Sequence, residues 1–341
     1  MLQPSNWNAQ TRLTQNLPHK NLRNFKYETM KIAIILDPLE HIKTYKDSTF
    51  AMMLEASSRG HELFVMEQQD LSLNEGKVIG FCRKLSLLDD KLHWYAVDEP
   101  QTLTLDHFDV VLMRKDPPFD MEYIFSTYLL ELAEQQGAHI LNKPLAIRDF
   151  NEKLSIAKFP EFIAPSLVTR KAEQIKAFIA LHGDAILKPL DGMGGSGIFR
   201  VTQNDPNLNV IIETITHLGM RTIMAQRYIP EITQGDKRIL LINGKPVPFA
   251  LARIPMKGET RGNLAAGGKG VAQPLSPRDR EIAETLGPKL RDAGLFLVGL
   301  DVIGDYLTEI NVTSPTGMQE ITAQTNFNVA GMFMDALEQQ C

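Results

Sequence analysis

Asp301, Glu309 and Asn311 interrupt an otherwise apolar stretch, VGLDVIGDYLTEINV (298–312). Charged side chains in apolar strands are costly unless they are paired or bound to a metal. Glu309 and Asn311 are two residues apart, so on a strand both point to one face. Asp301 joins that face only if the connecting loop has an odd length. A three-residue loop, Gly304-Asp305-Tyr306, would do this, whereas a two-residue turn would not. Three oxygen ligands on one face suit Mg²⁺, which favours carboxylates, waters and phosphates over His or Cys. An ordinary buried polar pair is the competing explanation.

A second cluster lies in ILKPLDGMGGSGIFRV (186–201), where Gly192, Gly194 and Gly197 match G-x-G-x-x-G. A dinucleotide fingerprint needs a helix directly after the glycines, because the pyrophosphate rests on that helix N-terminus. Here the apolar, β-branched IFRV follows, so the context is strand, glycine loop, strand, and the Rossmann reading is rejected. No G-x-x-x-x-G-K-[ST] occurs either. What remains is a hairpin loop whose bare backbone N–H groups can approach phosphates, with Lys188 on the strand before it. A solvent-exposed turn would look the same.

Arg238 and Arg253 sit in KRILLINGKPVPFALARIP (237–255), a hairpin centred on the strong turn signal Asn243-Gly244. The arginine fork suits phosphate and carboxylate oxygens, and an edge salt bridge for each is the alternative. Lys46 and Arg114 fall in polar loops after predicted elements, beside Asp37, Asp47 and Asp116. The histidines show no catalytic spacing.

The elements that must position these groups follow from periodicity. KIAIILD (31–37), HELFVME (61–67) and FDVVLMRKD (108–116) read as buried strands. STFAMMLEASSRG (48–60) reads as a helix capped by Ser48 or Thr49, and YIFSTYLLELAEQQG (123–137) as another, before the strand AHILNKP. This alternation predicts a doubly wound parallel sheet over 30–150, with ligands beyond the carboxyl ends of its strands. From 151 the texture changes to a short helix, a helix near 171–182 and several hairpins, and TIMAQRYIP (222–230) reads as a strand ending at a hinge.

The 341 residues carry 36 Lys+Arg against 41 Asp+Glu, a formal net charge of −5. At roughly 100–200 residues per domain, two or three domains fit. The mild acidity argues against a nucleic-acid partner, and the absence of an apolar run of about 18 residues argues against a membrane span. Cys82 and Cys341 are too few and too far apart for a disulfide framework or a metal-site pattern, which makes a reducing, cytoplasmic setting the default. Cys82 is expected to pack as a small hydrophobe. Residues 1–29 are rich in Asn, Gln and Thr and lack a secretory core; they read as a disordered extension, with a transit peptide conceivable.

The ordered set Lys153, Lys188, DGMGGSG, MAQRYIP and EINVTSP resembles the ATP-grasp superfamily. KDSTFAM, LMRKDPPFD, LNKP, GDKRIL, LARIP, GETRGNLAAGGKG and VGLDVIGDYLTEINVTSPTG further resemble bacterial glutathione synthetases, from about Met30 onward. That resemblance implies a pre-ATP-grasp α/β substrate domain at 30–150, an ATP-grasp lid subdomain at 151–229 and a metal-bearing subdomain at 230–341, both α+β. It implies that ATP phosphorylates the cysteinyl carboxylate of γ-glutamylcysteine and that glycine attacks the acyl phosphate, giving glutathione. ATP would meet Lys153, Lys188, Gly192, Gly194, Gly195, Gln226, Tyr228, Ile229 and Asp236. Asp301, Glu309 and Asn311 would hold Mg²⁺ or Mn²⁺. Arg238, Arg253 and Arg261 would face the acyl phosphate, and Lys46 and Arg114 the dipeptide. The glycine-rich stretch 256–270 would form a lid, and a homotetramer is implied. Another carboxylate–amine ligase, such as a D-alanine–D-alanine ligase, or an ATP-binding regulator without turnover would share much of this set.

Overall fold

Alternate residues of the first apolar run face two different cores, as a strand covered on both sides requires. In β1 (Lys31–Ile35), Ile32 and Ile34 join one buried cluster while Ala33 and Ile35 join another. The computed structural model describes residues 28–90, 93–256 and 268–341. Arg261, most of the expected lid and nearly all of the N-terminal extension lie outside the described residues.

The helix α1 (Ser48–Ser58) and β2 (Glu62–Met66) follow β1. The α1 cap is Asp47, whose carboxylate accepts the Phe50 N–H at 2.8 Å, rather than the expected Ser48 or Thr49. Those two hydroxyls are buried and serve the site instead. Ser48 Oγ accepts the Met318 N–H, and Thr49 Oγ1 accepts Arg114 Nε. Next come β3 (Leu71–Asn74), β4 (Lys77–Leu87), β5 (Tyr95–Val97), β6 (Gln101–Thr104), β7 (Val110–Met113), α2 (Met121–Gln135), β8 (Ile140–Leu141) and α3 (Pro144–Asp149). The strands β2, β1, β7 and β8 form the expected parallel core. The sheet is nevertheless mixed, because β4 runs antiparallel to β2 and carries β3, β5 and β6. β4 alternates buried and open positions along most of its length, the pattern of a strand with one solvated face.

A four-stranded antiparallel sheet is built from β9 (Ser166–Thr169), β10 (Asp184–Pro189), β11 (Phe199–Thr202) and β12 (Ile223–Arg227). α4 (Ala172–His182) and α5 (Leu208–Ile215) pack on it through Ile175, Ile179, Ile212 and Ile215. β10 and β11 pair directly, so the glycine loop does connect two strands.

The third sheet is antiparallel: β13 (Asp236–Ile242), β14 (Lys245–Ile254), β15 (Lys269–Pro274), β16 (Leu297–Ile303) and β17 (Tyr306–Asn311), in the order β15-β14-β13-β16-β17. The turn between β13 and β14 has positive φ at Asn243 (48°) and Gly244 (74°), the geometry that an Asn-Gly two-residue hairpin favours. α6 (Pro277–Asp292) covers one face of this sheet. α7 (Met318–Thr325) and α8 (Val329–Glu338) fill the other and share a core with α1 and β1.

The connection between β16 and β17 corrects the parity argument. The turn has two residues, Gly304 and Asp305, with Ile303 opposite Tyr306. A bulge then inserts Thr308, so that Asp301 lies opposite Glu309 and Gly299 opposite Asn311. The three polar residues reach one side by this route, without a three-residue loop.

Asn142 ties the first sheet to the third. Its amide donates to the Leu297 and Val312 carbonyls, both at 2.8 Å. Its Oδ1 accepts the Phe296 and Leu297 N–H groups at 2.7 and 2.8 Å.

Candidate active site

Two cavities meet between the three sheets. The smaller, about 110 Å³, is lined by Lys153, Lys188, Gly194, Gly195, Gln226, Tyr228, Ile229, Asp236 and Glu309, among others. The larger, about 490 Å³, takes in Lys46, Arg114, Arg238, Arg253, Asp301, Glu309 and Asn311. Gly194 and Glu309 line both, which marks the junction. The resemblance-based residues therefore converge on adjoining cavities, except Arg261, which is outside the described residues, and Gly192, which lines neither. The Gly192 carbonyl instead accepts Lys153 Nζ at 2.5 Å.

Lys153 and Lys188 are almost wholly buried, at 2% and 4% exposure. Lys153 Nζ pairs with Glu152 and lies 3.6 Å from Glu309 Oε1. Burial pulls Lys153 down, but the two carboxylates outweigh it and hold the ammonium above its usual range. Lys188 donates to Gln226 Oε1 at 3.2 Å and to the Thr308 carbonyl at 3.3 Å, and burial pulls its pKa down. Gln226 also donates to Ser166 Oγ, so its side chain serves Lys188 rather than standing free. The Tyr228 N–H is taken by the Asp184 carbonyl at 3.0 Å, which ties the hinge residue to β10 at the cavity wall.

Arg238 and Arg253 lie on the interior strands β13 and β14, not at a sheet edge. Both grip Asp301, Arg253 at 2.8 Å from Oδ2. Burial pushes the Asp301 carboxyl up, but Arg238 and then Arg253 outweigh it and hold it well below the ordinary range. Arg253 also pairs with Asp236, which burial pushes up to about 7 against that attraction.

Asp301, Glu309 and Asn311 face one cavity, and the Asn311 amide donates to the Gly299 carbonyl at 3.3 Å, which frees its Oδ1. Two carboxylates and an amide oxygen are hard donors that fit Mg²⁺, which keeps waters and phosphate oxygens in its shell. Among the described residues no group of three or more His, Cys, Asp or Glu is placed to hold a metal ion, so the set has two carboxylates and depends on the Asn311 amide oxygen for its third donor.

Asp37, Asp47 and Asp116, placed in the polar loops beside Lys46 and Arg114, line the larger cavity as well, and Glu152 and Glu320, which the sequence reading missed, join them. The signals for those two were weak: Glu152 merely precedes Lys153, and Glu320 stands in no motif of its own.

Residues 152–326 match the ATP-grasp domain of prokaryotic glutathione synthetase, and residues 30–148 match its N-terminal domain. The chain belongs to that family. It is 63% identical over 313 residues to a glutathione synthetase of Nitrosomonas europaea, covering 91% of this chain and 98% of that relative. It is 62% identical to one from Ralstonia nicotianae, covering 91% and 95%. Among solved structures, D-cycloserine synthetase DcsG aligns with a TM-score of 0.65 at 13% identity, over 91% of this chain and 99% of that one. The ATP-grasp ligase PsnB, complexed with minimal precursor, Mg and ADP, aligns at 0.58 and 17%, over 91% and 97%. These last two show the ATP-grasp fold. No helix among the described residues is long and apolar enough to cross a membrane.

Proposed function

We propose that this chain joins glycine to γ-glutamylcysteine at the expense of ATP, giving glutathione, ADP and phosphate. The observation that carries this reading is the junction at Gly194 and Glu309, where a buried two-lysine cavity opens into a larger one lined by arginines and carboxylates. Family membership over nearly the whole of each relative supports the same reaction.

In this reading Lys153 and Lys188 take the ATP phosphates as point charges, with the Gly194–Gly195 backbone over them. Tyr228, Ile229 and the Gln226 backbone border the base, and Asp236 borders the nucleotide. A magnesium ion held by Asp301, Glu309 and Asn311 would neutralise phosphate charge. The cysteinyl carboxylate oxygen bonds the γ-phosphorus as the bond to ADP breaks. The glycine amine then bonds the acyl carbon, phosphate leaves and the amine loses a proton. Arg238 and Arg253 face the anionic groups of both steps, where fixed guanidinium donors stabilise developing charge. Little covalent help is needed, since positioning and exclusion of water carry such transfers.

The same reading divides the chain at about 150 and 229, sets it in the cytoplasm and gives it a homotetrameric assembly, which sedimentation would test. The decisive assay is ADP release with ATP, γ-glutamylcysteine and glycine, omitting each in turn. Full turnover only with all three, and glutathione as product, is expected. ATP binding without release of phosphate for any dipeptide would overturn the proposal.

A further inference from the structure

The glycine loop carries one large apolar side chain. Met193 stands between Gly192 and the Gly194–Gly195 pair and is 40% exposed. Beside it lies a third cavity, about 120 Å³, which contains none of the residues assigned to ATP, metal or dipeptide. Its apolar wall is Pro117 and Phe119 from the loop after β7, Ile147 and Phe150 from α3 and its end, Leu190 and Val312. Met193 lines this cavity and the larger one. A cavity of about 150 Å³ accepts benzene, so this one has room for a thioether chain. Interiors are otherwise close-packed, and an apolar void costs stability. A void and an exposed methionine on its border are two costs that one movement cancels.

The loop is built for that movement. Its stem is held three times: the Leu190 carbonyl accepts the Asn151 amide at 2.9 Å, Asp191 pairs with Arg221, and the Gly192 carbonyl accepts Lys153 Nζ at 2.5 Å. Beyond Gly192 the closing bond runs within the loop, from the Ser196 N–H to the Met193 carbonyl at 3.1 Å. Gly194 and Gly195 take positive φ, 62° and 80°, and line the nucleotide cavity. Met193 is therefore the handle next to the two residues that would cover the phosphates. An unbranched thioether fills irregular gaps and packs well at aromatic ring edges, which Phe119 and Phe150 supply.

We infer that Met193 is a positioning residue whose side chain seats in the Phe119–Phe150 cavity when ATP binds, fixing the Gly194–Gly195 backbone over the phosphates. That role rests on the function proposed above and links the nucleotide to the first sheet. The Pro117–Phe119 loop follows directly on Arg114 and Asp116 of the larger cavity. A glycine loop seated against it covers the phosphates in register with the acceptor. An unseated loop leaves the acyl phosphate open to water.

The test uses the full chain with Met193→Ala, Met193→Leu, Phe119→Ala and the double alanine variant. Met193→Ala should raise the KM for ATP roughly tenfold, the loss expected when an apolar side chain of this size forfeits part of its burial. Its ratio of ADP to glutathione should rise, as water attacks the uncovered acyl phosphate and returns free dipeptide and phosphate. Its ligand-free Tm should match the parent, which a merely structural methionine would not allow. Met193→Leu should keep KM and coupling within about twofold of the parent, since volume-conserving swaps are tolerated. Phe119→Ala should reproduce the Met193→Ala effect, and the double variant should lose little more, because the two side chains act as one contact. Should Phe119→Ala fail to fold, oxidation carries the test. Hydrogen peroxide should convert the exposed Met193 to its sulfoxide in the free enzyme, and a non-hydrolysable ATP analogue should slow that conversion. Parent KM and coupling in Met193→Ala, additive losses in the double variant, or unchanged oxidation with the analogue bound overturns the inference. A parent that neither binds the analogue nor makes glutathione overturns the function itself, a separate outcome.

Discussion

Arg238 holds both carboxylate oxygens of Asp301, with Nε on Oδ1 and Nη2 on Oδ2, the latter at 3.0 Å. Arg253 reaches the same Oδ2 from the neighbouring strand. Glu309 sits directly opposite Asp301 across the hairpin, yet among the described residues its one ion pair is with Lys153 at 3.6 Å. Two carboxylates on one face therefore do different work. Beyond the metal that both would hold, Asp301 also neutralises a buried pair of guanidiniums, while Glu309 stays partly exposed at the cavity junction.

Their substitutions should separate stability from turnover. Asp301→Ala strands buried arginines, a loss of about 3–5 kcal/mol, so Tm should fall by roughly 10 °C. Glu309→Gln keeps the side-chain volume and should leave Tm nearly unchanged. Its turnover should fall at least about 10²-fold, beyond the range typical of outer-shell changes around a metal. Thermal melts alongside saturating-Mg²⁺ assays check both. Equal Tm losses, or a near-normal Glu309→Gln enzyme, would contradict the division.

Much of this was legible in the chain. The parallel strands announced themselves as unbroken apolar runs, and Asn243-Gly244 specified its hairpin by backbone chemistry alone. β4 was not seen, because its alternation over 77–87 is diluted by polar residues and it pairs with partners far along the chain. The polar trio shares one side as expected, but by a different turn. A bulge at Thr308 leaves no mark in composition, yet it decides which side Glu309 faces. Asp47, Ser48 and Thr49 are all good caps, so local chemistry alone could not choose among them. Glu152 and Glu320 were missed because facing a cavity is a property of the packed structure, and neither stands in a motif that announces it.

Ligand-free stability should carry an unusual pH dependence. Burial and the neighbouring charge of Glu309 push Glu152 up to about 7 from 4.5. Asp236 is raised to about 7 as well. Between those values the native state holds protons that the unfolded chain has released, so stability falls as pH rises through the window. Glu152→Gln should flatten the Tm profile between about pH 4.5 and 7. A parent whose stability climbs steadily with pH over that range, with the variant tracking it, would show that Glu152 ionises normally.

Asn142 should be a keystone of the sheet junction. Four buried backbone groups depend on its one amide. An orphaned buried group costs about 1–3 kcal/mol, so Asn142→Ala should lose at least about 3 kcal/mol even if water replaces some bonds. Asn142→Asp keeps the acceptor but forfeits both donors, and should fall between parent and alanine variant. Urea unfolding midpoints check the order. An alanine variant as stable as the parent would mean the two sheets hold together without this link.

Lys188 should trade stability for binding. Its ammonium is buried and makes no salt bridge among the described residues; its two partners are an amide oxygen and a backbone carbonyl. A charge held dry without a counter-ion is tolerable only if a ligand brings one, and the phosphates of the proposed ATP would do so. Lys188→Met replaces the stem with an apolar chain of similar length and removes the desolvated charge. Replacing buried charges with apolar groups is often neutral or stabilising by about 1–4 kcal/mol. The ligand-free variant should therefore melt at or above the parent temperature, even though Gln226 Oε1 loses a donor. The KM for ATP should rise roughly 10- to 100-fold, the loss expected for one charge-assisted bond. A non-hydrolysable ATP analogue should raise the parent Tm, as any ligand selective for the native state does, and move the variant far less. If the variant melts several degrees below the parent and still binds the analogue well, Lys188 is a structural lysine and the phosphates lie elsewhere.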